Sequence, residues 1–261
     1  MLEFYKYHGA GNDFIMIDNR LRTFFPEIEI VELLCRPHFG IGADGLILLE
    51  NDAEEEIKMR YFNSDGKEAT MCGNGGRCFA TFAQRLGLAD KSFTFNAIDG
   101  IHEALIVSTY GRTSIVKLKM NDVAKVTTHD EGSFTETGSP HLVVFVDRIV
   151  DLDVVTKGRE LRWMTKWGKD GVNVNFAEIM DGKIFSRTYE RGVENETLAC
   201  GTGAIAMALV AYKEGLVKDS PVEVQPLGGV LKVHFEFTND RFTNVWLEGA
   251  ATMVFKGHVE I

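Results

Sequence analysis

Short runs of apolar residues, alternating with polar positions or continuous, recur along the whole chain and predict a structure dominated by β-strands. The predicted strands are Phe14–Ile17, Leu46–Leu49, Ile57–Tyr61, His102–Ser108, Ser114–Met120, Leu142–Val146, Val172–Ile179, Lys183–Tyr189, Val222–Gln225, Leu231–Phe235, Asn244–Glu248 and Met253–Val259. Turns are predicted at Tyr110-Gly111, Asp181-Gly182 and Asn239-Asp240, because these residue pairs favour tight hairpins.

Four helices are predicted among these strands. One spans Ile28–Cys35 and another lies around Thr156–Trp163, while the remaining two follow Cys72 and Cys200. The last of them contains AIAMALVAY, which is apolar on every side. Such a helix is expected inside a curved sheet, because a helix on a surface keeps one polar face.

The two cysteine-led helices are copies of one pattern. CGNGGRCFATFAQRLGL begins at Cys72 and CGTGAIAMALVAYKEGL begins at Cys200, with Glu68 and Glu196 each four residues before the cysteine. A strand, a helix and a further strand precede each copy, so the chain is predicted to be an α+β protein of two similar lobes. The polar stretch 121–131 is interpreted as the linker between them.

Composition limits the classes of function. The formal net charge is −10, which argues against nucleic acid or an anionic membrane as partner. No signal-peptide pattern opens the chain and no apolar run is long enough to span a bilayer. Four cysteines in 261 residues are too few for a disulfide scaffold, so we expect reduced thiols and a cytoplasmic protein.

The position of the two cysteines suggests chemistry. Asn74 and Thr202 are N-cap residue types, and the first-turn N–H groups of a helix carry partial positive charge. A cysteine just before that turn is expected to form a thiolate more readily, beside N–H groups that bind a carboxylate. Two such thiols suit inversion at a carbon next to a carboxylate, where one takes a proton and the other returns one.

Less specific interpretations remain open. Core packing is the commoner role for a single cysteine before a glycine turn, and Cys35 and Cys78 are assigned to the core. A dithiol redox pair is also possible, whereas the cysteine spacing fits no metal site. Glu68 and Glu196 are expected to hold the loop backbone rather than act chemically.

Several polar residues beside the predicted strands are further candidates. Asn12 begins one strand, while Asn63 could equally be a turn former or a ligand. The pair Glu190-Arg191 could clamp a carboxylate or form a surface ion pair. His141 could be a base, a thiol partner or an edge residue held by hydrogen bonds.

At these residues the sequence resembles the diaminopimelate epimerase family. The matching motifs are HGAGNDFIMID, GIGADGL, FNSDGKEATMCGNGGRC, GSPHLVVFVD, NVNFAEI and YERGVENETLACGTG, together with the closing segment Gly249–Ile261. They occur in family order, and the likeness covers nearly the whole chain. There are three departures, namely Gly45 in place of a substrate-contacting Gln, Ser139 in place of a frequent Asn, and one extra residue before Cys200.

The resemblance implies an epimerase that interconverts LL- and meso-diaminopimelate without a cofactor or metal. It implies two pseudo-symmetric lobes, each a strongly curved, mostly antiparallel sheet around a central helix. The lobes would comprise residues 1–121 with 253–261, and residues 122–252. Cys72 and Cys200 match the catalytic thiols, and His141 and Glu190 match residues that adjust their protonation. The substrate-binding positions implied by the family are Asn12, Asn63, Gly73, Asn74, Asn173, Glu190, Arg191, Gly201 and Thr202.

Family members are commonly homodimers, and Phe255 matches an aromatic position at that contact. Two other functions remain as hypotheses from the sequence. One is a related two-thiol racemase acting on proline or another amino acid. The other is a binding or redox protein without proton exchange.

Overall fold

The computed structural model describes residues 1–261, and the chain divides into two compact units. Unit 1 comprises Met1–Leu118 and Gly249–Ile261, and unit 2 comprises Lys119–Glu248. The chain thus leaves unit 1 once and comes back to it for its last residues. None of its helices is both long enough and apolar enough to cross a bilayer.

Unit 1 contains two helices and eight strands, the last of which ends one residue into unit 2, and it receives the end of a ninth strand. The strands are β1 Leu2–Gly9, β2 Asn12–Asp18, β3 Gly45–Asn51, β4 Ile57–Asn63, β5 Glu68–Ala69, β6 Ser92–Ala97, β7 Gly100–Tyr110 and β8 Thr113–Lys119. The helices are α1 Ile28–Cys35 and α2 Gly73–Arg85. The final strand, β17, spans Arg241–Val259 and runs from unit 2 into unit 1.

The sheet of unit 1 closes on itself. β1 pairs with β2, β2 with β3, β3 with β4, β4 with β6, β6 with β7 and β7 with β8. The end of β17 completes the ring, because it pairs with β8 on one side and with β1 on the other. Only the β2–β3 and β4–β6 pairs are parallel.

Helix α2 packs against the strands of this ring, and every residue from Gly73 to Ala83 is buried. Its glycines allow the close approach. A Cβ atom on Gly76 would lie 2.8 Å from a Leu118 methyl group and 2.9 Å from the Met71 sulfur. On the other side of the β2–β3 pair, α1 places Val31 and Leu34 against the apolar side chains of both strands.

Unit 2 repeats this order of elements. Its strands are β9 Val126–His129, β10 Gly132–Glu136, β11 Pro140–Phe145, β12 Asn173–Met180, β13 Lys183–Glu190, β14 Asn195–Thr197, β15 Val222–Gln225 and β16 Leu231–Thr238, and its helices are α3 Val154–Arg162 and α4 Gly201–Lys213. β11 and β12 are parallel, as are β13 and β15, which matches the two parallel pairs of unit 1. The apolar α4 is buried against strands β10 to β13, β15 and β16, as predicted.

Four details differ from the sequence predictions. The segment 121–131 is not a simple linker, since it includes β9 and a bridge between Val123 and Phe242. The hairpin between β7 and β8 turns at Gly111-Arg112, one residue later than predicted. Asn244–Glu248 and Met253–Val259 form one continuous strand. The short or half-exposed strands β1, β5, β6, β9, β10 and β14 were missed.

Candidate active site

Each of the two repeated cysteines is the N-cap residue of a buried helix. Cys72 precedes α2 with φ −89° and ψ 132°, and Cys200 precedes α4 with φ −114° and ψ 113°. Both helices begin at the following glycine, so the prediction that Asn74 and Thr202 are N-caps was wrong. The sulfur itself stands at the position of partial positive charge.

In unit 1 the Cys72 thiol contacts the side chain of Asn12. The Sγ atom lies 3.6 Å from Asn12 Oδ1, and the same oxygen accepts a hydrogen bond from Asn74 Nδ2 at 3.3 Å. Asn12 in turn donates through Nδ2 to Asp44 Oδ2 at 2.6 Å. The predicted residues Asn12, Cys72 and Asn74 are therefore in direct contact, joined by Asp44, which the sequence analysis did not single out.

A second residue that was missed is Arg77, one turn along α2. Its guanidinium is fully buried and donates to Gly73 O at 3.2 Å and to Asn74 Oδ1 at 2.8 Å. Burial lowers the pKa of Arg77, while the thiols of Cys78 and Cys72 act in the opposite direction. An arginine between the glycines and the aromatic residues of α2 was the signal that sequence reasoning could have used, since lone buried charges are costly.

In unit 2 the Cys200 sulfur accepts a hydrogen bond from the backbone N–H of Gly203 at 3.4 Å. It also lies 3.5 Å from Thr202 Oγ1. The side chain is almost completely buried. A Cβ atom on Gly203 would lie 2.3 Å from Asn175 Oδ1, so glycine is needed at this position for the helix to approach β12.

His141 is buried beneath the first turn of α4 and belongs to a polar network. Its Nδ1 atom is 3.0 Å from Asn175 Nδ2, and its Nε2 atom is 2.9 Å from Ser139 Oγ. Burial lowers the pKa of His141 to about 3, partly offset by the Asn175 hydrogen bond. The imidazole is therefore neutral at physiological pH. Ser139 Oγ reaches on to Thr202 Oγ1 at 3.3 Å, which connects the imidazole to the residue beside Cys200.

Two other predicted substrate-binding residues of unit 2 lie at strand ends, Asn173 at the start of β12 and Glu190 at the end of β13. Asn173 accepts a hydrogen bond from the backbone N–H of Arg191 at 2.8 Å and donates to Pro140 O at 3.1 Å. Glu190 accepts a hydrogen bond from Thr197 Oγ1 at 2.7 Å. In unit 1, Asn63 is the last residue of β4 and is exposed. Its backbone N–H donates to Lys67 O at 3.0 Å, which closes the following turn.

The two glutamates that precede the cysteines bind arginine side chains, not loop backbone as the sequence analysis expected. Glu68 forms a two-point ion pair with Arg60, with both N–O distances at 2.8 Å. Glu196 forms the same pair with Arg187, at 2.6 and 2.7 Å. Each pair joins two neighbouring strands, β4 with β5 and β13 with β14, just ahead of the cysteine. We call them the arginine–glutamate clamps.

Cys35 and Cys78 are buried, as predicted. Burial raises the pKa of the Cys35 thiol to about 12 and that of Cys78 still further. Because the thiolate is the reactive form, these two cysteines are poor nucleophiles and poor bases.

Comparison with known proteins agrees with this arrangement. The diaminopimelate epimerase family profile matches residues 4–126 and 133–254. A diaminopimelate epimerase from Flavobacterium psychrophilum is 47% identical over 257 residues, which cover 98% of this chain and 99% of that protein. The chain belongs to the diaminopimelate epimerase family. The predicted family and the enzyme class, an isomerase, are confirmed.

Solved structures with similar folds extend beyond close relatives. A phenazine biosynthesis protein of the PhzF family from Bacillus anthracis superposes with a TM-score of 0.77 at 17% identity, covering 100% of this chain and 99% of that one. A probable proline racemase from Agrobacterium radiobacter gives a TM-score of 0.72 at 13% identity, covering 100% and 93%. The predicted α+β fold class is confirmed by these structures.

Proposed function

We propose that this protein interconverts LL- and meso-diaminopimelate by a two-thiol transfer of the α-proton. One sulfur, as thiolate, removes the proton from one face of the carbon, and the other, as thiol, protonates the opposite face. The proposal is supported above all by one observation, that each unit carries a cysteine at the N-cap of a buried helix. Membership of the family supports the choice of substrate.

The helix termini meet the main chemical demand of the reaction. A carbon next to a carboxylate is a weak acid, and charge moves onto the carboxylate as the proton leaves. First-turn N–H groups beside Gly73-Asn74 and Gly201-Thr202 would stabilise that charge without reorganising. The rest of the substrate needs partners for a second carboxylate and for ammonium groups, and the proposed partners are Asn12, Asn63, Asn173, Glu190 and Arg191.

The first test is proton NMR of LL-diaminopimelate in D₂O with catalytic amounts of reduced protein. We expect loss of the α-proton signal together with appearance of the meso isomer, and no change with proline. Cys72→Ser and Cys200→Ser should each abolish net epimerisation, while Cys35→Ala serves as the matched control and keeps activity. Full activity in either serine variant would refute the two-thiol reaction, and turnover of proline would favour a racemase of different specificity.

A second test uses the requirement that both sulfurs reach one carbon. Mild oxidation without substrate should link Cys72 to Cys200 and stop activity, and a reductant should restore it. Mass spectrometry of the oxidised protein identifies the linked pair. A disulfide that involves Cys35 or Cys78, or activity that survives complete oxidation, would contradict the proposal.

We further propose that the enzyme needs no cofactor, acts in the cytoplasm and forms a homodimer through the surface around Phe255. This side chain is 45% exposed at the end of β17, and its ring packs edge-on against Phe4. Sedimentation velocity should show a dimer that Phe255→Asp converts to monomer. Phe25→Asp, at another exposed phenylalanine, is the matched control and should remain dimeric. A monomeric parent protein would refute the assignment.

A further inference from the structure

Three neighbouring strands of unit 1 end in a row of residues that share one face of the sheet. Side chains alternate between the two faces of a strand, and residues paired across neighbouring strands share a face. Gly45 pairs with Phe14 on one side and with Asn63 on the other, and Asn12 lies two residues before Phe14. Asn12, Gly45 and Asn63 therefore stand in adjacent strands on the same face, with the glycine in the middle.

This face is the one that packs against α2. A Cβ atom on Gly75, in the first turn of the helix, would lie 3.0 Å from Ile47 Cδ1 and 3.5 Å from Phe14 Cζ. Asn12 reaches the Cys72 sulfur at 3.6 Å. One end of the row thus contacts the candidate thiol of unit 1, and both outer members of the row are proposed substrate-binding residues.

Tyr61 fills the gap that Gly45 leaves in the row. It lies on β4 two residues before Asn63, so its side chain points to the same face. A Cβ atom on Gly45 would lie 2.6 Å from Tyr61 Cε2 and 3.2 Å from the Tyr61 hydroxyl oxygen. A side chain at position 45 would collide with the ring, so the glycine makes room for it. The hydroxyl is thereby placed over the middle strand of the row.

The ring of Tyr61 has an apolar side that packs in the core. It meets the ring of Phe14 edge-on, with the centroids 6.0 Å apart and an angle of 77° between the planes. Ile47, which pairs with Tyr61 across β3 and β4, is completely buried, whereas Tyr61 is only partly buried. A tyrosine held in this way presents its polar tip from a fixed apolar body.

We propose that the Tyr61 hydroxyl is a substrate-binding group, which hydrogen-bonds a charged group of diaminopimelate between Asn12 and Asn63. The assignment rests on the proposed function, since it takes these two asparagines as substrate ligands. A hydroxyl donates to a carboxylate and accepts from an ammonium group, so it suits either group of an amino acid. The lack of a side chain at Gly45 is thus matched by a side chain from the neighbouring strand.

The alternative role for Tyr61 is packing alone, and Tyr61→Phe separates the two. The substitution removes only the oxygen and keeps the ring over Gly45. A hydrogen bond to a charged group is strong enough that its loss should raise the KM for LL-diaminopimelate by about 10- to 100-fold. The kcat should change by no more than about threefold, because an interaction made equally in the bound substrate and in the transition state affects KM alone.

Tyr110→Phe is the matched control. Tyr110 is 74% exposed at the end of β7, so the same chemical change there should leave both kinetic constants unaltered. A KM of the Tyr61→Phe protein within about twofold of the unmodified value would overturn the assignment. A lower melting temperature with an unchanged KM would overturn it too, because that result is the signature of packing alone.

Binding can also be measured without turnover. In the Cys200→Ser protein, whose altered residue belongs to unit 2, titration calorimetry with meso-diaminopimelate gives the dissociation constant. Adding Tyr61→Phe to this protein should raise the dissociation constant by about 10- to 100-fold. Equal dissociation constants in the single and double variants would contradict a contact between the hydroxyl and the substrate.

Gly45→Ala tests whether the glycine serves the hydroxyl. The new methyl group would displace the Tyr61 ring, and it would also meet the Phe62 carbonyl oxygen at 2.6 Å. The backbone effect is common to both backgrounds, whereas the effect on the hydroxyl is lost when residue 61 is phenylalanine. The rise in KM caused by Gly45→Ala should therefore be about fivefold smaller in the Tyr61→Phe protein. Equal rises in the two backgrounds would refute the link between Gly45 and the hydroxyl.

The outcomes for Tyr61 and for the reaction are distinguishable. Epimerisation of diaminopimelate with an unaltered KM in Tyr61→Phe would refute the assignment of Tyr61 alone. An unmodified protein that neither binds nor epimerises diaminopimelate would refute the proposed function, and the assignment with it.

Discussion

Burial of the neutral His141 makes the protein sensitive to mild acid. Its pKa is about 3 in the folded protein, against an ordinary value of 6.5. Because the unfolded chain binds this proton more readily, unfolding becomes easier as the pH falls below 6.5, and the effect stops growing near pH 3. Between pH 7.5 and pH 5.5 this one group should lower the free energy of unfolding by roughly 1 kcal/mol.

The assay is urea unfolding followed by tryptophan fluorescence. All three tryptophans, Trp163, Trp167 and Trp246, lie in unit 2 with His141, so the signal reports the relevant unit. Other groups also titrate in this range, and comparison with His141→Gln removes their contribution. Over these two pH units the free energy of unfolding should fall by roughly 1 kcal/mol more in the unmodified protein than in the variant. Equal losses in the two proteins would refute the burial of a neutral imidazole.

Two further predictions concern the scaffold that carries the thiols. Gly203→Ala should destabilise unit 2 by about 1–3 kcal/mol, because its Cβ would collide with Asn175 Oδ1. Thermal unfolding measures this effect, and an unchanged melting temperature would contradict the prediction. Arg187→Met should lower the free energy of unfolding by about 1–3 kcal/mol, because it leaves Glu196 without its two-point partner. If this pair also positions the loop before Cys200, steady-state kinetics should show a larger fall in kcat than change in KM. An unaltered kcat would contradict that positioning role.

The sequence predicted most of the long, apolar elements correctly. Helix α1 was predicted to the residue, and β15 was too, because each has a periodic apolar pattern with prolines just outside both ends. Strands such as β5 and β14 have two and three residues and no apolar pattern of their own. They exist because their glutamates bind arginines on the neighbouring strand, an interaction that depends on tertiary contact and not on local sequence.

The residues of the candidate site also fall into two groups, those that local sequence predicted and those that depend on the folded structure. The repeat identified Cys72 and Cys200 and placed each at the head of a helix, since that position depends on local residues. Asp44 was missed because its importance arises from a hydrogen bond to Asn12, which lies far away in the chain. Arg77 was missed although its partner Asn74 lies on the same turn of α2. His141 was predicted only as one of three alternatives. Its burial beneath α4, which sets its charge, is a property of the folded unit.

The route of β17 has a consequence for synthesis. The ring of unit 1 includes Ala250–Val259, which leave the ribosome after every residue of unit 2. Until these residues are made, β1 and β8 each lack a partner on one edge. All residues of unit 2, which ends at Glu248, have been synthesised by then. Order of synthesis and order of completion are thus reversed, and the half made first is the half finished last. A chain truncated before Gly249 would retain every proposed catalytic residue and still leave the helix behind Cys72 in an open sheet.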